Sequence, residues 1–120
     1  MKPPIVLNDS HSIDQPGAVD VFESVAALES YLEPWYVDEP HFIFDSEGMQ
    51  LEITRSGTGV RLVPREPKVF NTEIARRYFA ALLKSIAVAK GWDRVGVAED
   101  FVETAPLSQL ATECKRFATR

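Results

Sequence analysis

His41-Phe42-Ile43-Phe44-Asp45-Ser46-Glu47-Gly48-Met49-Gln50-Leu51-Glu52-Ile53-Thr54-Arg55-Ser56-Gly57-Thr58-Gly59-Val60-Arg61-Leu62-Val63-Pro64 is the stretch that decides the fold. His41 to Asp45, Met49 to Arg55 and Val60 to Pro64 read as strands, and the glycine-bearing pieces between them read as hairpin turns. A two-residue turn at Glu47-Gly48 pairs Phe44 with Leu51 and Phe42 with Ile53, and the four-residue turn Ser56 to Gly59 pairs Ile53 with Leu62. All of these residues then fall on one face, because side chains alternate along a strand. The opposite face collects Asp45, Gln50 and Arg65, then Ile43, Glu52 and Val63, then His41, Thr54 and Arg61. A three-residue loop, Ser46-Glu47-Gly48, is disfavoured on this reading because it sets Phe44 beside Gln50 and mixes the faces.

Downstream, Asn71 is a good N-cap for Thr72 to Lys90, a run rich in Ala, Leu, Arg and Lys that stops at Gly91. Ile74, Tyr78, Ala81, Leu82, Ser85 and Ala89 line one side of it, widened by Phe79, Leu83 and Ile86, enough apolar arc to cover the meander. Trp92 to Val97 reads as a loop or brief strand, Glu99 to Glu103 as one helical turn, and Pro106-Leu107 as the start of a last helix through about Phe117. Upstream, Val19-Asp20-Val21-Phe22 alternates as a strand does, and Ser24 can cap a short helix over 25–33, with Val25, Leu28, Tyr31 and Leu32 as its stripe, before Pro34 prevents continuation. Residues 1–17 carry three prolines, Gly17 and the polar run Asn8 to Ser12, so a flexible N-terminal arm with little regular structure is expected there. Residues 18–120 are expected to form one α+β domain: an antiparallel meander of three to four strands, with one long and two shorter helices packed on one face.

With 120 residues, 45% hydrophobic and 26% charged, the chain matches an ordinary globular domain. Its longest nearly uncharged stretch, Phe79 to Ala89, is broken by Lys84 and falls well short of the ~20 apolar residues that cross a bilayer. The apolar run near the N-terminus, Ile5-Val6-Leu7, is too short for a signal peptide, so the expected address is the cytoplasm, away from membranes. Cys114, the one cysteine, fits a reducing compartment and reads as a buried small hydrophobe.

Charge is sorted along the chain. Residues 1–52 carry a net −10, with Lys2 their one basic residue, whereas residues 53–120 carry +5. The run Arg76-Arg77 with Lys68 and Lys84 reads as a solvated helix face that neutralises part of the acidic half; with a pI near 5.0, nucleic acid is not the expected partner. His11 and His41 have no Cys or His neighbour at metal-ligand spacing, so neither metal nor cofactor is expected. Ser56-Gly57-Thr58-Gly59 lacks the Lys-Ser/Thr ending and following helix of a phosphate loop. No catalytic residue is assigned. His41 with Asp38, Glu39 or Asp45 is the acid-base cluster that an alternative reading, a small hydrolase or ligand-binding enzyme, would use. A second alternative is a homodimer joined through the polar sheet face, where Ile43 and Val63 would form an apolar spot.

Trp35-Tyr36, directly after Pro34 and followed by Asp38, Glu39 and His41, has the composition of an interface anchor with a charged rim, although two rings capping one end of the core is the reading that aromatics of this size favour. The run Val21-Phe22-Glu23-Ser24-Val25-Ala26-Ala27-Leu28-Glu29-Ser30-Tyr31-Leu32-Glu33-Pro34, with Phe44-Asp45-Ser46-Glu47-Gly48 and Leu51-Glu52-Ile53, resembles small bacterial immunity proteins of polymorphic toxin systems. These share a strand, a short helix ending in Leu-Glu-Pro, and a hairpin turning at Asp-x-x-Gly. The resemblance spans residues 19–55, under a third of the chain, and brings no catalytic residue with it. It implies a cytoplasmic protein that binds a cognate toxin domain and blocks it, and an acidic chain suits a basic toxin because complementary fields speed association. The expected partner surface is Trp35, Tyr36, Asp38, Glu39, His41, Asp45, Glu47 and Glu52, centred on the uncompensated stretch Glu29 to Glu39, on a monomer or a homodimer.

Overall fold

In a computed structural model, which describes residues 1–119, five antiparallel strands form one sheet in the order β2-β1-β3-β4-β5: β1 Ile5–Asp9, β2 Ala18–Phe22, β3 Phe42–Phe44, β4 Gln50–Ser56 and β5 Gly59–Pro64. The helices are α1 Val25–Tyr31, α2 Thr72–Lys90, α3 Trp92–Val95, α4 Glu99–Thr104 and α5 Leu107–Cys114, with 3₁₀ turns at Pro34–Asp38 and Lys115–Phe117. The class is the expected one, α+β with an antiparallel sheet. No helix among the described residues is long and apolar enough to cross a membrane.

Residues 1–17 do not lack regular structure, and this corrects the expectation of an arm. Ile5, Val6 and Leu7 are the first three residues of β1, which lies between β2 and β3 and is buried on both sides. A strand covered on both faces is apolar throughout and shows no alternation, so three apolar residues after two prolines carry little strand signal. The loop that follows is tied down: Asn8 accepts from the Gly17 amide and donates to the Gln15 carbonyl, and the Tyr78 hydroxyl donates to the Ile13 carbonyl at 2.6 Å.

The first hairpin takes the three-residue loop that the sequence reading disfavoured. Ile43 faces Leu51, Phe44 faces Gln50, and the Asp45 amide donates to the Met49 carbonyl. Gly48, with φ +87°, supplies the left-handed residue that closes a three-residue hairpin loop, and an added Cβ would meet Thr72 at 3.0 Å. The mixed faces cost nothing because both are covered. Val6, Val21 and Phe44 point toward α2 and the C-terminal helices, while Ile5, Leu7, Phe22, Ile43, Leu51, Ile53 and Leu62 pack with Leu28 of α1, with Leu32 just after it and with Tyr36. The helices are therefore divided between the two faces rather than gathered on one. Ile43 is fully buried, so the apolar Ile43–Val63 spot invoked for a homodimer does not exist. The second hairpin has the expected register, Ile53 opposite Leu62, and its outer face carries exposed Glu52, Thr54 and Arg61.

Helix α1 approaches the two edge strands, β2 and β5, most closely, so the sheet curls around it. Its Ser24 cap accepts the Ala27 amide, and Asn71 likewise caps α2 through the Ile74 amide, as the sequence predicts. Trp92–Val95 is a helical turn rather than the loop or strand expected, entered through Gly91 at φ +94°. Both sheet edges are guarded: Thr119 donates to the Val21 carbonyl beside β2, and the Glu29 carboxylate accepts the Leu62 amide of β5 at 2.8 Å. Replacing Glu29 by Ala should cost about 1–2 kcal/mol, since it strands a half-buried strand amide, whereas Gln should retain most of the stability. Equal urea midpoints for the alanine variant and the parent would show the contact to be idle.

Candidate partner-binding recess

Pro34 cannot donate the amide that would continue α1, and its fixed φ opens the 3₁₀ turn Pro34–Asp38, closed by bonds from Tyr36 to Glu33 and from Glu39 to Tyr36. Successive side chains of a 3₁₀ turn diverge by about 120°. Tyr36 accordingly points inward and is only 8% exposed, while Trp35 points out and is 61% exposed. Neither of the sequence alternatives applies to both rings: one caps the core and the other faces solvent. Tyr36 lies against His41, with ring centroids 5.2 Å apart, and meets the edge of Trp35 at 6.0 Å. Tyr31, at the end of α1, is 53% exposed and rests on Phe22 at 5.2 Å.

Below these rings run β1 and β2. Asp20 is opposite Leu7 and Asp9 opposite Ala18, which makes the two aspartates diagonal neighbours on the face turned toward α1. With Leu7, Tyr31, Leu32, Glu33, Trp35 and Tyr36 they line a recess of about 290 Å³. Among the described residues, its lining holds three carboxylates and no basic side chain. The four other main hollows each include Lys or Arg; the widest, about 670 Å³ between the first hairpin and α5, mixes Glu47 and Glu73 with Lys2, Arg76 and Lys115, and Glu73 is already paired with Arg76 at 3.1 Å.

Crowding shows in the proton affinities. Burial, and then the neighbouring Asp9 charge, push the Asp20 carboxyl above its ordinary value. The folded state therefore binds this proton more tightly than the unfolded chain does. Asp20 opposes folding at neutral pH, an effect that begins to lift as pH falls to its folded value and is gone below its ordinary one. Burial, followed by Asp9, Asp20 and Glu39, raises the Tyr36 phenol further still, so it stays protonated. Its hydroxyl has no hydrogen-bond partner among the described residues; Asp9 is near enough to act on it, yet no bond of ordinary geometry closes. An orphaned buried hydroxyl costs about 1–3 kcal/mol.

The residues expected to form a partner surface are dispersed. Trp35 and Tyr36 reach the recess. Asp38 is exposed and paired with Arg55, and Glu39 is exposed, its carbonyl facing His41 Nδ1 at 2.7 Å. His41 and Glu52 line a separate open hollow with Gln50 and Arg65, where no Ser, Thr or Cys nucleophile is present in the lining. Glu47 belongs to the hairpin groove at a different part of the surface. Asp45 is removed from the set: it is 1% exposed and accepts the amides of Lys2, Glu47 and Met49, leaving nothing for a partner. Leu7, Asp9 and Asp20 are the lining residues outside the expected surface, whereas Tyr31, Leu32 and Glu33 fall within the stretch Glu29 to Glu39 on which it is centred without being named in it. Asp9 lies in the segment expected to be an arm and Tyr31 on the expected apolar stripe of α1; the polar position of Asp20 in an alternating strand is the available signal. Among the described residues no group of three or more His, Cys, Asp or Glu is arranged to hold a metal ion. Cys114 is buried with its thiol on the Phe79 carbonyl, and burial raises its proton affinity. Comparison with protein-family models, with curated proteins and with solved structures returns no match.

Proposed function

We propose that this chain is a non-enzymatic protein-binding module of the immunity type, which neutralises a basic toxin domain through the surface around Trp35. The observation that carries the reading is the pairing of two large exposed aromatic rings, Trp35 and Tyr31, with an acidic recess whose lining holds no cation among the described residues. Rings of that size are seldom left in water, and aromatic residues beside charged rims dominate binding energy at interfaces. The resemblance over residues 19–55 and the net charge of −5 support the same reading. A cytoplasmic address accompanies it.

The tagged full chain should recover one specific basic protein from its own cells, by a contact that weakens as salt is raised. Trp35→Ala should weaken that complex about 30-fold or more, the effect of truncating a central interface aromatic. Recovery of the chain alone, or a complex indifferent to Trp35, would overturn the proposal.

A further inference from the structure

We propose that the recess between α1, the Pro34–Asp38 turn and the β1–β2 hairpin receives a single arginine side chain of the protein partner. This deepens the reading of the chain as a protein-binding module and rests on it. Among the described residues the recess carries Asp9, Asp20 and Glu33 with no basic residue in its lining, whereas three other carboxylates of the acidic half are already engaged: Asp38 with Arg55, Glu29 with the Leu62 amide, and Asp45 with three amides. What the recess lacks is positive charge.

A second feature points to a ligand independently of that charge. Tyr36 is more than nine-tenths buried, lines the same recess, and its hydroxyl has no hydrogen-bond partner among the described residues. An incoming N–H donor would supply the bond that the fold leaves unmade. At about 290 Å³ the recess falls just below the range of small-molecule sites, roughly 300–1,000 Å³, which suits one side chain better than a cofactor. Leu7 and Leu32 offer apolar wall to a methylene stem. The exposed faces of Trp35 and Tyr31 offer π surface to a cation.

Arginine matches these groups better than lysine. A guanidinium is flat, so it stacks on an indole or phenol face while its five N–H donors reach carboxylates and a hydroxyl lying in different directions. An ammonium is compact and more strongly hydrated, and stacks on nothing. A bound guanidinium also relieves the Asp9–Asp20 repulsion, which adds to burial in raising the Asp20 proton affinity.

The test uses the full chain and three probes: acetyl-arginine amide, acetyl-lysine amide and magnesium chloride. Each is titrated at low salt while the amide and indole N–H resonances are followed. The arginine probe should shift the Trp35 indole and the Asp9 and Asp20 amides with a dissociation constant of about 1 mM, ordinary for one side chain, and the lysine probe should bind at least several-fold more weakly. Asp20→Asn should weaken the arginine probe about tenfold while melting no lower than the parent, because it removes a charge that opposes folding; Asp100→Asn, the same charge change on α4, should leave binding intact. Equal shifts from lysine or magnesium, or none from arginine at roughly tenfold higher concentration, would overturn the proposal. A Trp35-dependent protein complex without arginine binding would overturn this inference and leave the module reading standing. Arginine binding by a chain that recovers no partner would overturn the partner's side chain as the source and point to a free guanidinium compound.

Discussion

Replacing Asp45 by alanine should lower the unfolding free energy by about 3–4 kcal/mol, among the largest losses available to one polar residue here. Its Oδ1 accepts the Glu47 and Met49 amides, both at 2.9 Å, and Oδ2 accepts the Lys2 amide at 3.0 Å. One carboxylate therefore closes the three-residue loop and fastens the chain just before β1 to the same corner, where the Ser46 amide donates to the Lys2 carbonyl. Alanine leaves three amides without acceptors, that of Met49 fully buried. Bonds to charged acceptors contribute about 1.5–3 kcal/mol each, but Lys2 and Glu47 are near enough to solvent to recover part of the loss. Asp45→Asn keeps one acceptor oxygen and should lose about half as much. Urea unfolding of the three proteins decides this, and a loss under about 1 kcal/mol for alanine would mean that the network contributes little.

Phe44→Ala should cost about 3–5 kcal/mol, a decrease of roughly 10 °C or more in Tm. The ring is fully buried among Val6, Val21 and α2, and meets the edge of Tyr78 at 5.5 Å, so its removal opens a cavity that a packed helix layer cannot collapse to fill. Phe44→Leu keeps most of the volume and should cost about 1.5 kcal/mol or less. A double-mutant cycle adds a test of register. Phe44 and Leu51 lie on opposite faces, so their truncations should add within about 0.5 kcal/mol, whereas Ile43 and Leu51 face each other and should couple. Strong coupling of Phe44 with Leu51 would return the hairpin to its two-residue turn.

These two residues also mark where the sequence became ambiguous. Asp45-x-x-Gly48 is compatible with two loop lengths, and the choice between them was made on the assumption that a sheet in so short a chain has one covered face. Once α1 covers the second face, the register that mixes apolar residues between faces is the stable one. The second hairpin was legible because its outer face really is solvated: Glu52, Thr54 and Arg61 alternate with Leu51, Ile53 and Leu62. Of the recess, Trp35 and Tyr36 were visible as an aromatic pair on an unassigned segment. Asp9 and Asp20 were not, because they are 11 residues apart and meet only through the β1–β2 pairing, which depends on a strand that carries no alternation.

The acidic bias of residues 1–52 could be counted from the sequence, yet how much of it a partner could still use depended on internal pairing. By itself, the sequence determined the features whose physics is local: the Ser24 and Asn71 caps, the Gly91 stop, the 19 residues of α2 and the second hairpin. The tertiary structure alone decided that β1 belongs inside the sheet, which face Phe44 takes, that Asp45 is spent on backbone amides while Asp9, Asp20 and Glu33 share a recess whose lining, among the described residues, holds no cation, and that Trp35 stands in solvent beside a buried Tyr36. Caps and helical stripes involve partners a few residues apart in the chain, whereas strand order, layer number and charge compensation are fixed by groups distant in sequence that meet only when the sheet curls around α1.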